Sequence, residues 1–146
     1  MKVAIGCDHR GVELKNRVKA VLMRLGHEVV DFGTHSKNSV DYPDYGLMVA
    51  RAVAAGDAEY GVTICWTGNG MNIAANKVKG IRAGMAVDRE MAELTRLHND
   101  ANVITLSQKY TDLNQLDEII SAFLNTKFEG GRHLPRVQKI MAAESQ

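Results

Sequence analysis

The sequence predicts an α/β fold in which a five-stranded parallel sheet is covered by helices on both faces. Short β-branched runs alternate with stretches of helical spacing along all 146 residues, and parallel strands need crossovers that helices usually supply. The second observation is a turn, Thr67-Gly68-Asn69-Gly70, that joins an apolar strand directly to a helix. Glycines at such a junction let backbone N–H groups approach an anion at a helix N-terminus, and in open parallel sheets ligands gather outside the carboxyl ends of the strands.

The elements follow in order. Val3 to Gly6 is a strand, Gly11 to Leu25 a helix with apolar residues at helical spacing, and His27 to Phe32 a strand closed by Gly33, which completes one βαβ unit. Pro43 to Ala55 is a helix with proline in its first turn, and Tyr60 to Cys65 a buried strand. Gly70 to Val78 is a short helix, Ile81 to Val87 a strand, Arg89 to His98 a helix and Ala101 to Leu106 the fifth strand. Asp112 to Asn125 forms an amphipathic helix, and Leu134 to Met141 a last one with Pro135 in its first turn. Between them, Phe128 to His133 is too short and too charged to bury itself.

A chain of this length fits one domain, residues 1–146, with a core that needs neither disulfides nor metals. A formal charge of +1 gives no broad electrostatic reason for nucleic acid or an anionic membrane as partner. Two cysteines, no cleavable leader and no membrane-length apolar run point to a cytoplasmic enzyme or binding domain.

Several constellations suit chemistry. Cys65 stands where the positive end of the following helix favours a thiolate, which makes it a candidate proton acceptor. Asp8 and His9 fall just past the first strand, where Asp8 serves either as a helix cap or as a ligand group. His98, Asn99 and Asp100 form a polar cluster before the fifth strand, and a lone His98 there is also an ordinary capping or surface residue. Arg132, His133 and Arg136, with Lys109 in the loop after the fifth strand, are cations that can converge on a phosphate or remain a solvated charge run. Tyr42 opens the second helix near the same rim. Asp8, His9, His98, Asn99, Asp100 and His133 are metal-ligand types. Without a His-x-x-x-His or Cys-x-x-Cys spacing, we expect no metal. Gly68-Asn69-Gly70 lacks the third glycine of a dinucleotide fingerprint, and the first strand's turn does not carry one.

Six motifs in order resemble one family, the B-type ribose-5-phosphate isomerases, grouped with allose- and galactose-6-phosphate isomerases. They are Gly6-Cys7-Asp8-His9 with Gly11 and Glu13-Leu14-Lys15, Asp31-Phe32-Gly33-Thr34, Asp41-Tyr42-Pro43-Asp44-Tyr45, Cys65 to Lys77, Arg96 to Val103, and Phe128 to His133. The resemblance implies a three-layer α/β/α Rossmann-like sandwich forming a homodimer or homotetramer, each active site crossing the subunit interface and the helix near residues 134–142 lying there. It implies aldose–ketose isomerisation of a phosphorylated sugar through a cis-enediolate, without cofactor or metal. By motif, Cys65 resembles the carbon base with Thr67 hydrogen-bonding close by, His98 the ring-opening group and Asp8 a partner to ring or hydroxyl oxygens. Gly68, Asn69, Gly70 and Asn99 would face the enediolate oxygen. His9, Arg132 and Arg136 resemble the phosphate clamp, and Tyr42 a wall of the sugar site.

The chain departs from that pattern twice. Trp66 replaces the usual glycine after the catalytic cysteine, and it either fills part of the sugar site, stacks on a neighbouring loop, displaces Cys65 or turns into a subunit contact. Ser107-Gln108-Lys109 replaces glycine, a small residue and arginine, so Lys109 keeps the charge but loses the bidentate fork. The leading reading is interconversion of ribose 5-phosphate and ribulose 5-phosphate. Its alternatives are the same chemistry on allose, galactose or tetrose phosphates, or a non-catalytic phosphosugar- or nucleotide-binding module.

Overall fold

The computed structural model describes residues 1–146, and its five parallel strands are ordered β2-β1-β3-β5-β4. The strands are β1 (Lys2–Cys7), β2 (Glu28–Asp31), β3 (Tyr60–Cys65), β4 (Ala83–Met85) and β5 (Val103–Ser107). The helices are α1 (Val12–Arg24), α2 (Tyr42–Ala54), α3 (Asn69–Ala75), α4 (Arg89–Asn99), α5 (Leu116–Asn125) and α6 (Leu134–Ala142). No helix is long and apolar enough to cross a membrane.

Strand alternation divides the core. Val3, Ile5, Val62, Ile64, Ile104 and Leu106 point to one face and meet Leu14, Val18 and Leu22 of α1 and Ile119, Ile120 and Phe123 of α5. Ala4 and Val103 point to the other and meet Val49, Ala50 and Val53 of α2 and Ala75 of α3. That second face is thin because it is lined by small residues: a Cβ at Gly61 would stand 2.7 Å from Val49 Cγ1, so α2 lies nearly on the sheet backbone.

The register decides where the site falls. Cys7 pairs with Ile64 and Cys65 with Ser107, which brings the carboxyl ends of β1, β3 and β5 to one edge. From β1 the chain steps one way to β2 and then returns to the other side for β3, so the direction reverses between β1 and β3. A crevice opens outside the strand ends at such a switch point.

Differences from the sequence reading are local. The expected strand Ile81 to Val87 keeps only Ala83–Met85 in the ladder, because β4 is an edge strand that pairs on one side alone. The expected helix from Asp112 is split: Asp112 accepts the N–H of Asn114 at 3.0 Å, a 3₁₀ turn covers Leu113–Gln115, and α5 begins at Leu116. The segment Phe128 to His133 does bury a side chain, since His133 is 6% exposed.

Candidate active site

The β3–α3 turn builds the centre. Cys65 is the last residue of β3 and buried, 5% exposed, on the α2/α3 side of the sheet. Gly68 precedes α3 at φ 91°, a left-handed value that favours glycine. Thr67 Oγ1 accepts the N–H of Asn69 at 3.3 Å, while the N–H groups of Gly68 and Gly70 take no acceptor in the chain, as expected of a helix start. Gly70 is fixed by Tyr42: a Cβ at Gly70 would lie 2.5 Å from Tyr42 Cζ. The Tyr42 ring therefore lies across the start of α3 and walls the crevice.

The β1–α1 loop supplies the opposite wall. Asp8 is 6% exposed, its backbone N–H donates to Ile64 O at 3.2 Å, and its Oδ1 accepts the N–H of Arg10 at 3.0 Å. The helix-cap alternative for Asp8 is set aside, since Gly11 holds the cap position of α1 without a side-chain bond. His9 Nδ1 accepts the N–H of Val40 at 3.1 Å, which leaves the proton of the neutral ring on Nε2.

The two thiols differ. Cys7 is fully buried, with Sγ 3.6 Å from Thr34 O, and burial pushes its pKa up to about 12. Cys7 packs in the core, whereas Cys65 ends β3 beside the Gly68 turn.

Trp66 turns away from Cys65. Its ring lies under the Arg10 guanidinium, 4.0 Å from carbon to centroid, so of the four placements considered it takes the stack on a neighbouring loop. Its carbonyl accepts from Ser107 Oγ at 2.7 Å and the Lys109 N–H at 3.0 Å. Gln108 Oε1 accepts the N–H of Leu14 at 3.0 Å, capping the α1 start that Gly11 leaves bare. Lys109 is exposed beside this rim.

His98, Asn99, Arg132 and Arg136 lie elsewhere. Helix α4 runs antiparallel to the strands and ends just before Val103, so His98 and Asn99 sit at the amino edge of the sheet. About 13 Å of strand separates that edge from Ser107 and Cys65. In the Arg96 to Val103 motif, several residues hold the frame: Arg96 Nη1 bonds Asp100 Oδ1 at 2.8 Å and Ala101 O at 2.7 Å, and Asn102 ties Gly80 to Arg82. His98 faces outward and stacks on His133, with centroids 4.4 Å apart and planes inclined at 17°. Burial, then the charges of Arg132 and His98, hold His133 below the usual histidine range, against the opposing pull of Glu129. Arg132 and Arg136 are exposed beside this pair.

Ligand atoms of His98, Glu129 and His133 fall within 4.8 Å of one another, a grouping that chain spacing did not reveal. The lone pairs of nearly parallel rings run side by side, so sharing one ion would require one ring to turn. The largest groove, about 580 Å³, follows the β4 edge far from Cys65, and Asn99 reaches its wall.

Comparison with known proteins adds a separate finding. Residues 3–140 match the family model described as Ribose/Galactose Isomerase. The chain is 45% identical to ribose-5-phosphate isomerase B of Escherichia coli over 145 residues, covering 99% of this chain and 97% of that one. The solved ribose-5-phosphate isomerase B of Clostridium thermocellum superposes with a TM-score of 0.96 at 48% identity, covering 99% and 98% of the two chains. That of Mycoplasma genitalium, solved with bound ribulose-5-phosphate, gives 0.93 at 38% identity, covering 99% and 96%.

Proposed function

The chain belongs to the ribose/galactose isomerase family, and on that premise we propose that it is an aldose–ketose isomerase interconverting ribose 5-phosphate and ribulose 5-phosphate. The observation that carries the proposal is the convergence of Cys65, Thr67, the Gly68–Gly70 turn, Asp8 and Tyr42 at the β1/β3 switch point.

In this reading the reaction opens with the sugar ring. His98 delivers a proton to the ring oxygen as the C1–O bond breaks, and the Asp8 carboxylate takes the proton that the C1 hydroxyl loses. The Cys65 thiolate then takes the C2 proton. The electron pair moves into the C1–C2 bond, and the former carbonyl oxygen becomes an oxyanion facing the free N–H groups of Gly68 and Gly70 and the Asn99 amide, while the Asn69 N–H, expected to join them, is held by Thr67 Oγ1. Donors fixed before the reaction carry much of such a rate. A proton passes from O2 to O1, Cys65 returns its proton to C1, and the ketose results. The electron pair stays within the substrate, so the steps use only side chains and backbone of the protein.

His98 and Asn99 belong to this site only if a second copy supplies them, because one chain holds them at the opposite sheet edge from Cys65. The proposed assembly is therefore a homodimer, or a tetramer built from dimers, with α6 at the interface. Arg132 and Arg136 of one copy face the phosphate bound near His9 and Lys109 of the other. We assign the enzyme to the cytoplasm, as a single domain.

The direct test is turnover of ribose 5-phosphate by purified, chelator-treated protein, with allose 6-phosphate and a tetrose phosphate in parallel. Pentose conversion is expected. Conversion of another sugar alone would move the substrate assignment, and binding without conversion of any would overturn the enzymatic reading.

A further inference from the structure

The two departures from the family pattern, Trp66 and Gln108, meet in space around a third residue that the proposed mechanism leaves unused. Arg10 is exposed, has no carboxylate within ion-pair distance, and holds its guanidinium carbon over the Trp66 indole, 4.0 Å from the ring centroid. It lines a small cleft of about 240 Å³ together with His9, Val12, Glu13, Lys37, Trp66 and Gln108.

The polar atoms turned to this cleft are nearly all donors. Since His9 Nδ1 is occupied as an acceptor by the Val40 N–H, its Nε2 carries the proton of the neutral ring. Gln108 Oε1 is likewise occupied by the Leu14 N–H, so the amide's NH₂ group remains to donate. The one carboxylate at the rim, Glu13, is bound to Lys37 Nζ at 2.8 Å. What remains is a guanidinium, an amide NH₂ and an imidazole N–H beside the N-terminus of α1.

We propose that this cleft is a phosphate site in which Arg10, braced on Trp66 and flanked by His9 and Gln108, grips the phosphate of the sugar substrate. The inference rests on the isomerase reading above and adds Arg10 to the residues assigned there. Contact through the face of the indole spends none of the guanidinium's hydrogen-bond donors, so they remain for phosphate oxygens while the ring limits the side chain's rotational freedom. Trp66 acts through Arg10 as a positioning residue. The substitution of a bulky indole at a glycine position then has a purpose: it restores at this rim the planar fork that Lys109 cannot offer.

Trp66 is the only tryptophan in the chain, so its fluorescence reports on the cleft directly. Titration with inorganic phosphate should produce a saturable change in the native protein that is lost in Arg10→Met, the two proteins sharing the same circular dichroism and melting curve. In turnover, Arg10→Met should raise KM for ribose 5-phosphate roughly 10- to 100-fold, the factor expected for hydrogen bonds to a charged group. It should change kcat far less than KM, as loss of binding shared by ground and transition states does. Arg10→Lys should fall between, and Trp66→Gly should raise KM in the same direction. A phosphate response that survives in Arg10→Met, or is absent from the native protein, overturns the proposal, as does an unchanged KM. If the native protein turns over no pentose phosphate, the isomerase reading fails, and the phosphate titration still decides the cleft.

Discussion

Replacing Asp31 with asparagine should destabilise the protein far more than its place on an outer strand suggests. Lys15 is completely buried, and its ammonium has three acceptors: Asp31 Oδ1 at 3.0 Å, Thr34 O at 2.6 Å and His35 Nδ1 at 3.3 Å. Asp31 in turn takes the Lys19 ammonium at 2.8 Å and the Gly33 N–H at 2.8 Å. Asp31→Asn leaves a buried cation facing only neutral acceptors, an arrangement that costs about 3 to 5 kcal/mol. In a chain of this size that lowers Tm by on the order of 10 °C or more. Lys15→Met should cost less, about 1 to 3 kcal/mol, because Asp31 keeps Lys19 and the Gly33 N–H. The double variant should then be more stable than the sum of the singles by about 2 kcal/mol.

The same carboxylate sets an acid limit. Burial raises the Asp31 pKa, but hydrogen bonds from Lys19, the Gly33 N–H and Lys15 outweigh burial and hold it below the usual value. A lowered folded pKa means that the stabilisation is fully present above the unfolded value, roughly 4, and is lost as pH falls through the folded one. Urea unfolding of the four proteins at neutral pH and along an acid series measures both effects. A cost for Asp31→Asn below about 1 kcal/mol, or strict additivity in the cycle, would refute the argument from a buried, mutually dependent pair.

Other outcomes follow from the site. Iodoacetamide at neutral pH should label Cys65 well ahead of Cys7, whose buried thiol has its pKa raised to about 12; mass spectrometry showing Cys7 modified first would contradict that order. Cys65→Ala should lower turnover by a factor of about 10² to 10⁴ while leaving phosphosugar binding near its native value, as calorimetry can check. Co-expressed Cys65→Ala and His98→Asn chains, each inactive alone, should recover about a quarter of native activity, because half of randomly paired dimers carry one intact site. No recovery in a mixed dimer isolated with two tags would place both residues in one chain's site. Gly70→Ala puts a Cβ 2.5 Å from Tyr42 Cζ and should cost about 1 to 3 kcal/mol in stability. Adding Tyr42→Ala should restore stability while KM remains high, and failure to restore it would show that Tyr42 is not the obstacle.

Element identity was legible because it depends on local pattern. Helical spacing in Val12–Arg24 and the apolar run Tyr60–Cys65 reflect which face of each segment must leave water. The Gly68 turn was legible for the same reason, since a left-handed φ at a strand-to-helix corner favours glycine in any tertiary setting. Chain spacing also exposed Asp8, Cys65 and Tyr42 as rim residues.

What only the tertiary structure decided is which rim each residue belongs to and what it touches. His98 and Cys65 look alike in sequence, polar groups beside strands, yet the direction of α4 puts them at opposite edges of the sheet. The stack of His133 on His98, the Gln108 cap on Leu14 and the turn of Trp66 onto Arg10 join residues between 35 and 94 positions apart. Hydrophobic periodicity tells a segment which side to bury and carries no information about its neighbour; strand order and register, set by packing the whole core at once, choose the partner.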